Sequence, residues 1–233
     1  MNMMNKKQLS NLIKKADQGD ADAQFNLGKR YGTGQDVPKD DTLARQWLGK
    51  SANQGNADAQ CWLGMHYFLP PARDEDYAIA REWFEKAVAQ GSIDALNGIG
   101  GMYQYGCGVP KDHDQARQWY EKAAALGNVS ANLYIGCLYA QEHGQLQDYA
   151  KAREWYEKAA ALGNVDAAVS LGDLYRLGRG GPQDFVKAWQ LLQKPAEQGH
   201  ERAQIVVGEM HALGQGVPQD DVRAYMWWSI ALA

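Results

Sequence analysis

The five histidines of this 233-residue chain, His66, His113, His143, His200 and His211, are the side chains best suited to proton transfer or metal binding near neutral pH. None lies in a His-Glu-x-x-His pattern, and the three cysteines, Cys61, Cys107 and Cys137, form no Cys-x-x-Cys pair, so no zinc spacing is written here. Asp112, His113 and Asp114 do cluster, but just before a helical apolar pattern. Acidic residues favour that end of a helix dipole, and the cluster reads as a cap or a solvated turn. Arg179, Gly180 and Gly181 follow a helical pattern, not a strand, and so make no phosphate cradle. Asn128, Val129 and Ser130 form a glycosylation triplet, which needs a secretory context to act. The expectation is a protein that is not an enzyme and has no cofactor or metal.

Composition narrows the partners. A formal net charge of -4 and a pI near 5.7 give no electrostatic footprint for nucleic acid or an anionic membrane. The odd cysteine count, with no recurrence at a fixed spacing, supplies no disulfide framework and fits a reducing compartment. No apolar run of signal-peptide length follows Lys6 and Lys7, and no stretch approaches the length of a membrane span. The localisation expected is cytoplasmic, or periplasmic or secreted if a signal segment has been removed.

What positions these side chains is a period. Glycine recurs at 19, 55, 91, 127, 163 and 199, always 36 residues apart. The same shift superposes Ala23, Gly28, Asp40 and Ala44 on their counterparts in all six copies. A fixed period of this size means stacked supersecondary units, none of which buries its apolar face alone. Within a copy, Ala23, Leu27, Gly28 and Tyr31 form one stripe of a first helix, A. Asp40 then precedes Ala44, Trp47, Leu48 and Ser51, as an N-cap precedes a second helix, B. Each repeat glycine follows the last periodic residue of a helix B, or for Gly19 the short leading segment, and suits a left-handed C-cap there. Glycine inside helix A costs about 1 kcal/mol relative to alanine. Its persistence at Gly28, Gly64, Gly100, Gly136, Gly172 and Gly208 predicts close approach of helix B, with the Ala44 column opposite. The column Trp47, Trp83, Trp119, Trp155 and Trp227 is expected to supply the large buried faces. Arg81 with Glu85, Arg117 with Glu121 and Arg153 with Glu157 read as i,i+4 pairs on a solvated face, followed by a lysine column from Lys50 to Lys194.

The fold class expected is therefore all-α, an α/α superhelical solenoid of six 36-residue helix-loop-helix repeats. The copies are 19–54, 55–90, 91–126, 127–162, 163–198 and 199–233, one continuous solenoid behind an N-terminal capping helix over residues 1–18. At the other end, Trp228, Ile230 and Leu232 have no polar cap beyond them. Either the chain was shortened or this end pairs with something, and self-association through the C-terminal helix is expected.

The third copy carries a resemblance: Ala95 through Gly100, Tyr103, Gly106, Gly108, Val109, Pro110, Asp112, Ala116, Trp119, Lys122, Ala123 and Ala124 to Gly127. This pattern resembles the Sel-1-like repeat, a relative of the tetratricopeptide repeat, over residues 19 to 233. Pro70 and Pro71 replace loop glycines, Glu142 and Gly144 sit in the fourth loop, and His211 takes a tyrosine's place. The resemblance implies a right-handed superhelix with helix A on the concave side, and a scaffold or adaptor that binds proteins, often in bacterial signalling, envelope or host-interaction roles. A cysteine-rich branch of the family is linked to β-lactams. This chain lacks its cysteine pairs and any Ser-x-x-Lys.

On helix A, the columns beginning at 22, 25, 26 and 29 point away from the buried arc. They are more apolar than a solvated face. The residues expected to bind a protein or peptide partner in the concave groove are Phe25, Asn26, Lys29, Trp62, Met65, Asn97, Leu133, Tyr134 and Asp173. Packing of the column-25 residues between adjacent repeats is the competing reading. The alternative function is a helical-repeat nucleic-acid binder, disfavoured by Asp22, Asp58, Asp94 and Asp166. An enzyme ranks below that.

Overall fold

The computed structural model describes residues 4–69, 73–141 and 146–232. Pro70, Pro71, Glu142, His143 and Gly144 lie outside them. The described residues form thirteen helices and no strand: α1 (Lys6–Asp17), α2 (Ala21–Thr33), α3 (Asp41–Asn53), α4 (Ala57–Phe68), α5 (Asp74–Ala89), α6 (Ile93–Tyr105), α7 (His113–Ala125), α8 (Val129–Ala140), α9 (Tyr149–Ala161), α10 (Val165–Leu177), α11 (Phe185–Glu197), α12 (Glu201–Leu213) and α13 (Asp221–Ala231).

Two compact units share them, Met1–Leu126 and Gly127–Ala233. The boundary falls between the third and fourth copies, where the 36-residue columns run on unbroken. In the first unit α2/α3, α4/α5 and α6/α7 pack as pairs; α1 packs on α2, and α3 on α4 and α5 on α6 join the pairs. In the second, α8/α9, α10/α11 and α12/α13 are joined by α9 on α10 and α11 on α12.

Both helix starts are capped by side chains. For helix B, Asp40, Asp112, Asp148, Asp184 and Asp220 accept from backbone N–H groups of the first turn. The second copy differs from the expected cap. There α5 begins at Asp74, so Asp76 sits inside the first turn and its carboxylate accepts from the Arg73 N–H at 2.9 Å. For helix A the caps are Asp20, Asn56, Ser92, Asn128, Asn164 and His200, a chemically mixed column one residue after the repeat glycine. Asn128, the glycosylation candidate, thus spends its side-chain oxygen on the Ala131 N–H at 3.0 Å.

The two glycine columns work differently. Gly55 and Gly91 have φ of +91° and +84° with nothing within 4 Å of a would-be Cβ, so backbone conformation alone selects glycine there. Inside helix A the reason is space. A Cβ would stand 2.8 Å from Leu48 at Gly28, 2.7 Å from Phe84 at Gly64 and 2.5 Å from Tyr120 at Gly100. In the second unit the partners are Tyr156 at Gly136, Leu192 at Gly172 and Trp228 at Gly208. Close approach of helix B is present, but its partner is this bulky column and not the Ala44 column.

That geometry corrects the tryptophan reading. Phe84, Tyr120 and Tyr156 are buried, whereas Trp47, Trp83, Trp119 and Trp155 are half-buried at the edge of the stack. Each carries a lysine three residues on, Lys50, Lys86, Lys122 and Lys158, over its ring at 3.9 to 4.2 Å. Four of the five lysines of that column therefore make cation–π contacts, each worth about 0.5–1 kcal/mol at exposed sites.

Arg81–Glu85 and Arg117–Glu121 form the expected pairs, each at 2.8 Å. Arg153 does not pair as expected. It is buried and donates to the carbonyls of Arg179 at 2.7 Å, Leu174 at 3.0 Å and Pro182 at 3.2 Å, with its guanidinium over Tyr175. Gly181 makes the room, since a Cβ there would meet Arg153 Nη1 at 2.7 Å. Other copies place Val37, Val109 and Val217 at that position.

Candidate functional site

The expected binding residues divide between the two units. In the first, α2 carries Phe25, Asn26 and Lys29, α4 carries Trp62 and Met65, and α6 carries Asn97. Phe25 and Trp62 meet edge to face, with ring centroids 6.4 Å apart and planes at 73°. Lys29 Nζ lies 5.0 Å from the Trp62 ring centroid. Both rings rest on the buried cluster of Leu48, Ala52, Ala59 and Leu63 and leave part of their surface open. Met65 is exposed, and so is Leu69 beyond it, so Trp62, Met65 and Leu69 form one stripe at i, i+3 and i+7. Leu69, and Tyr105 on α6, are exposed apolar residues that were not among those expected from sequence. Asn26 is exposed and donates to the Asp22 carbonyl at 2.8 Å. Asn97 is half-buried, with its Oδ1 unpaired among the described residues.

Column 25 does not face outward along its length. Cys61 is buried, because α4 packs directly on α6 and α2 touches α4. The open arc of helix A is narrower than one helix pair alone suggests. Burial is also the main reason the Cys61 thiol is pushed up to about 11, where it is no nucleophile at neutral pH.

In the second unit Leu133 is half-buried against the cluster holding Tyr156, Ala159 and Leu171, and Tyr134 is exposed. Val169 is buried. Asp173 departs most from expectation. It is 6% exposed and holds Arg202 Nη2 at 2.5 Å and Arg176 Nε at 3.7 Å, while Arg176 also reaches Glu209 at 3.2 Å. This network ties α10 to α12 and is structural. Its signal in the sequence is the inversion of charge at Arg202, which stands where other copies have Asp22, Asp58, Asp94 and Asp166.

Charge around the first-unit face is acidic. Asp22, Asp58 and Asp94 are exposed in the first turns of α2, α4 and α6, and Asn56 donates to Asp22 at 2.9 Å. Separately, a shallow cleft of about 430 Å³ is lined by Val88, Leu96, Ala125 and Leu126. It lies where Leu96 and Leu126 replace the hydrogen-bonded pairs Gln24–Gln54 at 2.7 Å and Gln60–Gln90 at 2.8 Å of the first two copies. Among the described residues no three His, Cys, Asp or Glu side chains gather to hold a metal, and no helix is long and apolar enough to cross a membrane.

Helix pairs at a constant period, interlocked by a glycine on A and a bulky residue on B, define an α/α repeat protein of the solenoid class. The Sel1 repeat model matches at residues 21–56, 57–92, 93–128, 129–164, 165–200 and 201–233, and the chain belongs to the Sel1 repeat family. A solved Sel1 repeat protein from Oxalobacter formigenes is similar at 29% identity and a TM-score of 0.77, over 97% of this chain and 90% of that one. A protective antigen of uropathogenic Escherichia coli strains, with an SLR fold, is 35% identical with a TM-score of 0.73. That likeness covers 96% of this chain and 48% of the antigen, so the chain spans about half that relative's length. An immunity protein from Pseudomonas aeruginosa shares the fold at 20% identity and a TM-score of 0.62, over 91% of this chain and 81% of that one. No curated protein matches. Sel1 repeat proteins are generally protein–protein interaction scaffolds and are typically non-catalytic.

Proposed function

We propose that this chain is a non-catalytic scaffold that binds a protein or peptide segment across the helix-A face of its first unit, anchored on Phe25, Trp62 and Met65. The observation that carries this reading is the Phe25–Trp62–Lys29 stack, two partly open aromatic rings on a face where solvent contact alone selects polar residues. Aromatic side chains held rigidly by their neighbours lose little freedom on binding and are the usual anchors of interfaces. Lys29 supplies a donor beside them. Asp173 is left out, since its carboxylate is already spent on Arg202 and Arg176.

The acidic row Asp22, Asp58 and Asp94 favours a partner segment that is apolar with basic residues beside it, and disfavours nucleic acid. The free thiols support a reducing, cytoplasmic setting in a bacterium, the source of the similar solved structures. Selection of a random peptide display library on the whole chain tests the reading. The expected outcome is enrichment of peptides with aromatic or aliphatic anchors and Lys or Arg, whose affinity weakens modestly with salt and is retained at high salt through the apolar anchors. Enrichment of no peptide, together with RNA binding that weakens linearly in log[salt], would favour the nucleic-acid alternative.

A further inference from the structure

Where the helices B end, a pair of side chains ties some copies together. In the first copy Gln24 donates to the Ala16 carbonyl at 3.0 Å and accepts from Gln54 at 2.7 Å. In the second, Gln60 donates to the Ala52 carbonyl at 3.2 Å and accepts from Gln90 at 2.8 Å. The sixth keeps the first of these bonds, from Gln204 to the Ala196 carbonyl at 3.1 Å. In the third copy the two positions are Leu96 and Leu126. Leu96 is buried and Leu126 is 60% exposed, and the cleft of about 430 Å³ opens where the glutamine pair stands in the copies before it.

The cleft lies within the first unit, between the C-terminal ends of α5 and α7 and the N-terminal end of α6. Its lining is apolar at Val88, Leu96, Ala125 and Leu126. The polar side chains beside these are engaged elsewhere. Ser92 accepts from the Ala95 N–H at 3.4 Å and bonds the Cys61 thiol, and Lys122 Nζ lies 4.2 Å from the Trp119 ring centroid. The Val88 carbonyl is different. It stands where Ala16, Ala52 and Ala196 each take a side-chain N–H, and with leucine at 96 it keeps backbone donation, from the Gly91 N–H at 2.9 Å. A peptide oxygen has two lone pairs, so a second donor is accommodated here as it is in those three copies.

We propose that this cleft takes the indole side chain of a tryptophan in a polypeptide partner, with the indole N–H donated to the Val88 carbonyl. The cleft is large enough for a bicyclic ring but too shallow to enclose a free molecule, which favours a side chain tethered to a backbone outside it. Donor count selects the side chain. Indole has a broad apolar body, one N–H donor and no acceptor, so nothing polar is left over once Val88 is reached. A phenol or a carboxamide brings an acceptor oxygen to face Leu96 and Leu126, and an ammonium brings three donors and a charge to a lining with no carboxylate. The chain makes the same kind of bond itself, where the Trp228 indole N–H donates to the Ile205 carbonyl at 3.2 Å. The site rests on the reading of the chain as a protein-binding scaffold, but it shares no residue with the helix-A face.

Amide chemical-shift mapping of the whole chain titrated with N-acetyltryptophanamide tests the inference. Binding in the millimolar range is expected, with shifts at Gly91, Ser92, Leu96, Ala125 and Leu126. The analogue methylated at the indole nitrogen keeps the ring and loses the donor, and on the wild-type chain it is expected to bind about three- to tenfold more weakly, for one neutral hydrogen bond. Leu96→Gln/Leu126→Gln rebuilds the pair of the first two copies and takes both the space and the carbonyl. It is expected to bind the probe roughly tenfold or more weakly. Equal affinity for the methylated analogue overturns the inference, as does a probe that shifts none of the cleft residues. Shifts at Phe25, Trp62 and Met65 instead place the indole on the helix-A face, which overturns this inference and supports the other reading.

Discussion

Tyr120 and Trp119 are neighbours whose removal has unequal cost. Tyr120 fills the space left by Gly100 and donates to Gln104 Oε1 at 2.7 Å, whereas Trp119 is half-buried beneath Lys122. Urea denaturation should give a loss of about 3–5 kcal/mol for Tyr120→Ala, as for a buried aromatic truncation. Trp119→Ala should lose about 1–2 kcal/mol, for partial burial and one cation–π contact. The reverse order would put the tryptophan column back in the core. Gly100→Ala should destabilise by about 1–3 kcal/mol through overpacking, although helix propensity alone predicts a gain. The distinction was hard to read in advance. The tryptophan column repeats one large residue, while the true core column varies as Leu48, Phe84, Tyr120, Tyr156 and Leu192, with the partly exposed Trp228 in the sixth copy, and variation hid it.

At the scale of the element, helix starts and one loop respond to chemistry that can be titrated or removed. Backbone N–H donors hold the Asp76 and Asp148 carboxyls below the usual aspartate range, and burial holds the His66 and His113 imidazoles below theirs. A group whose folded pKa is depressed contributes stability above its unfolded pKa and loses it as pH falls. The thermal midpoint should therefore be flat from about pH 7 to about pH 8, decline as pH falls below about 6.5 and drop further below about 4. His113→Gln should flatten the first decline, and a midpoint that rises on acidification to pH 5 would contradict these assignments. In the second unit Arg153→Ala removes the guanidinium donors from the loop carbonyls of Arg179 and Pro182 and from Leu174 at the end of α10, and should lose about 2–3 kcal/mol, whereas Arg81→Ala, exposed and paired with Glu85, should lose under about 1 kcal/mol. Chemical denaturation of the two variants decides this. The period, the pairing of helices and most helix-B caps were legible because each follows from local backbone needs repeated six times. Arg153 and Asp173 were not, because each answers a change in another copy, Gly181 for the first and Arg202 for the second.

For the whole molecule, the repeated columns specify how copies stack, and the positions that escape the repeat are where a function specific to this chain resides. Trp62 is such a position: its counterparts are Asn26, Gly98, Tyr134, Ser170 and Val206. The sequence marked the face but not its width, since direct packing of α4 on α6 buries Cys61 and leaves Trp62, Met65 and Leu69 as the open stripe. The most direct measurement pairs two readouts on Trp62→Ala, affinity for a peptide selected on the wild-type chain and stability in urea. Binding should weaken by about 2 kcal/mol or more, the size of an interface hot spot. Stability should fall by about 1 kcal/mol, for the part of the ring that packs on Leu48 and Leu63. A loss of about 3 kcal/mol or more in stability with binding intact would make Trp62 a core residue and contradict the assignment of this face to partner binding.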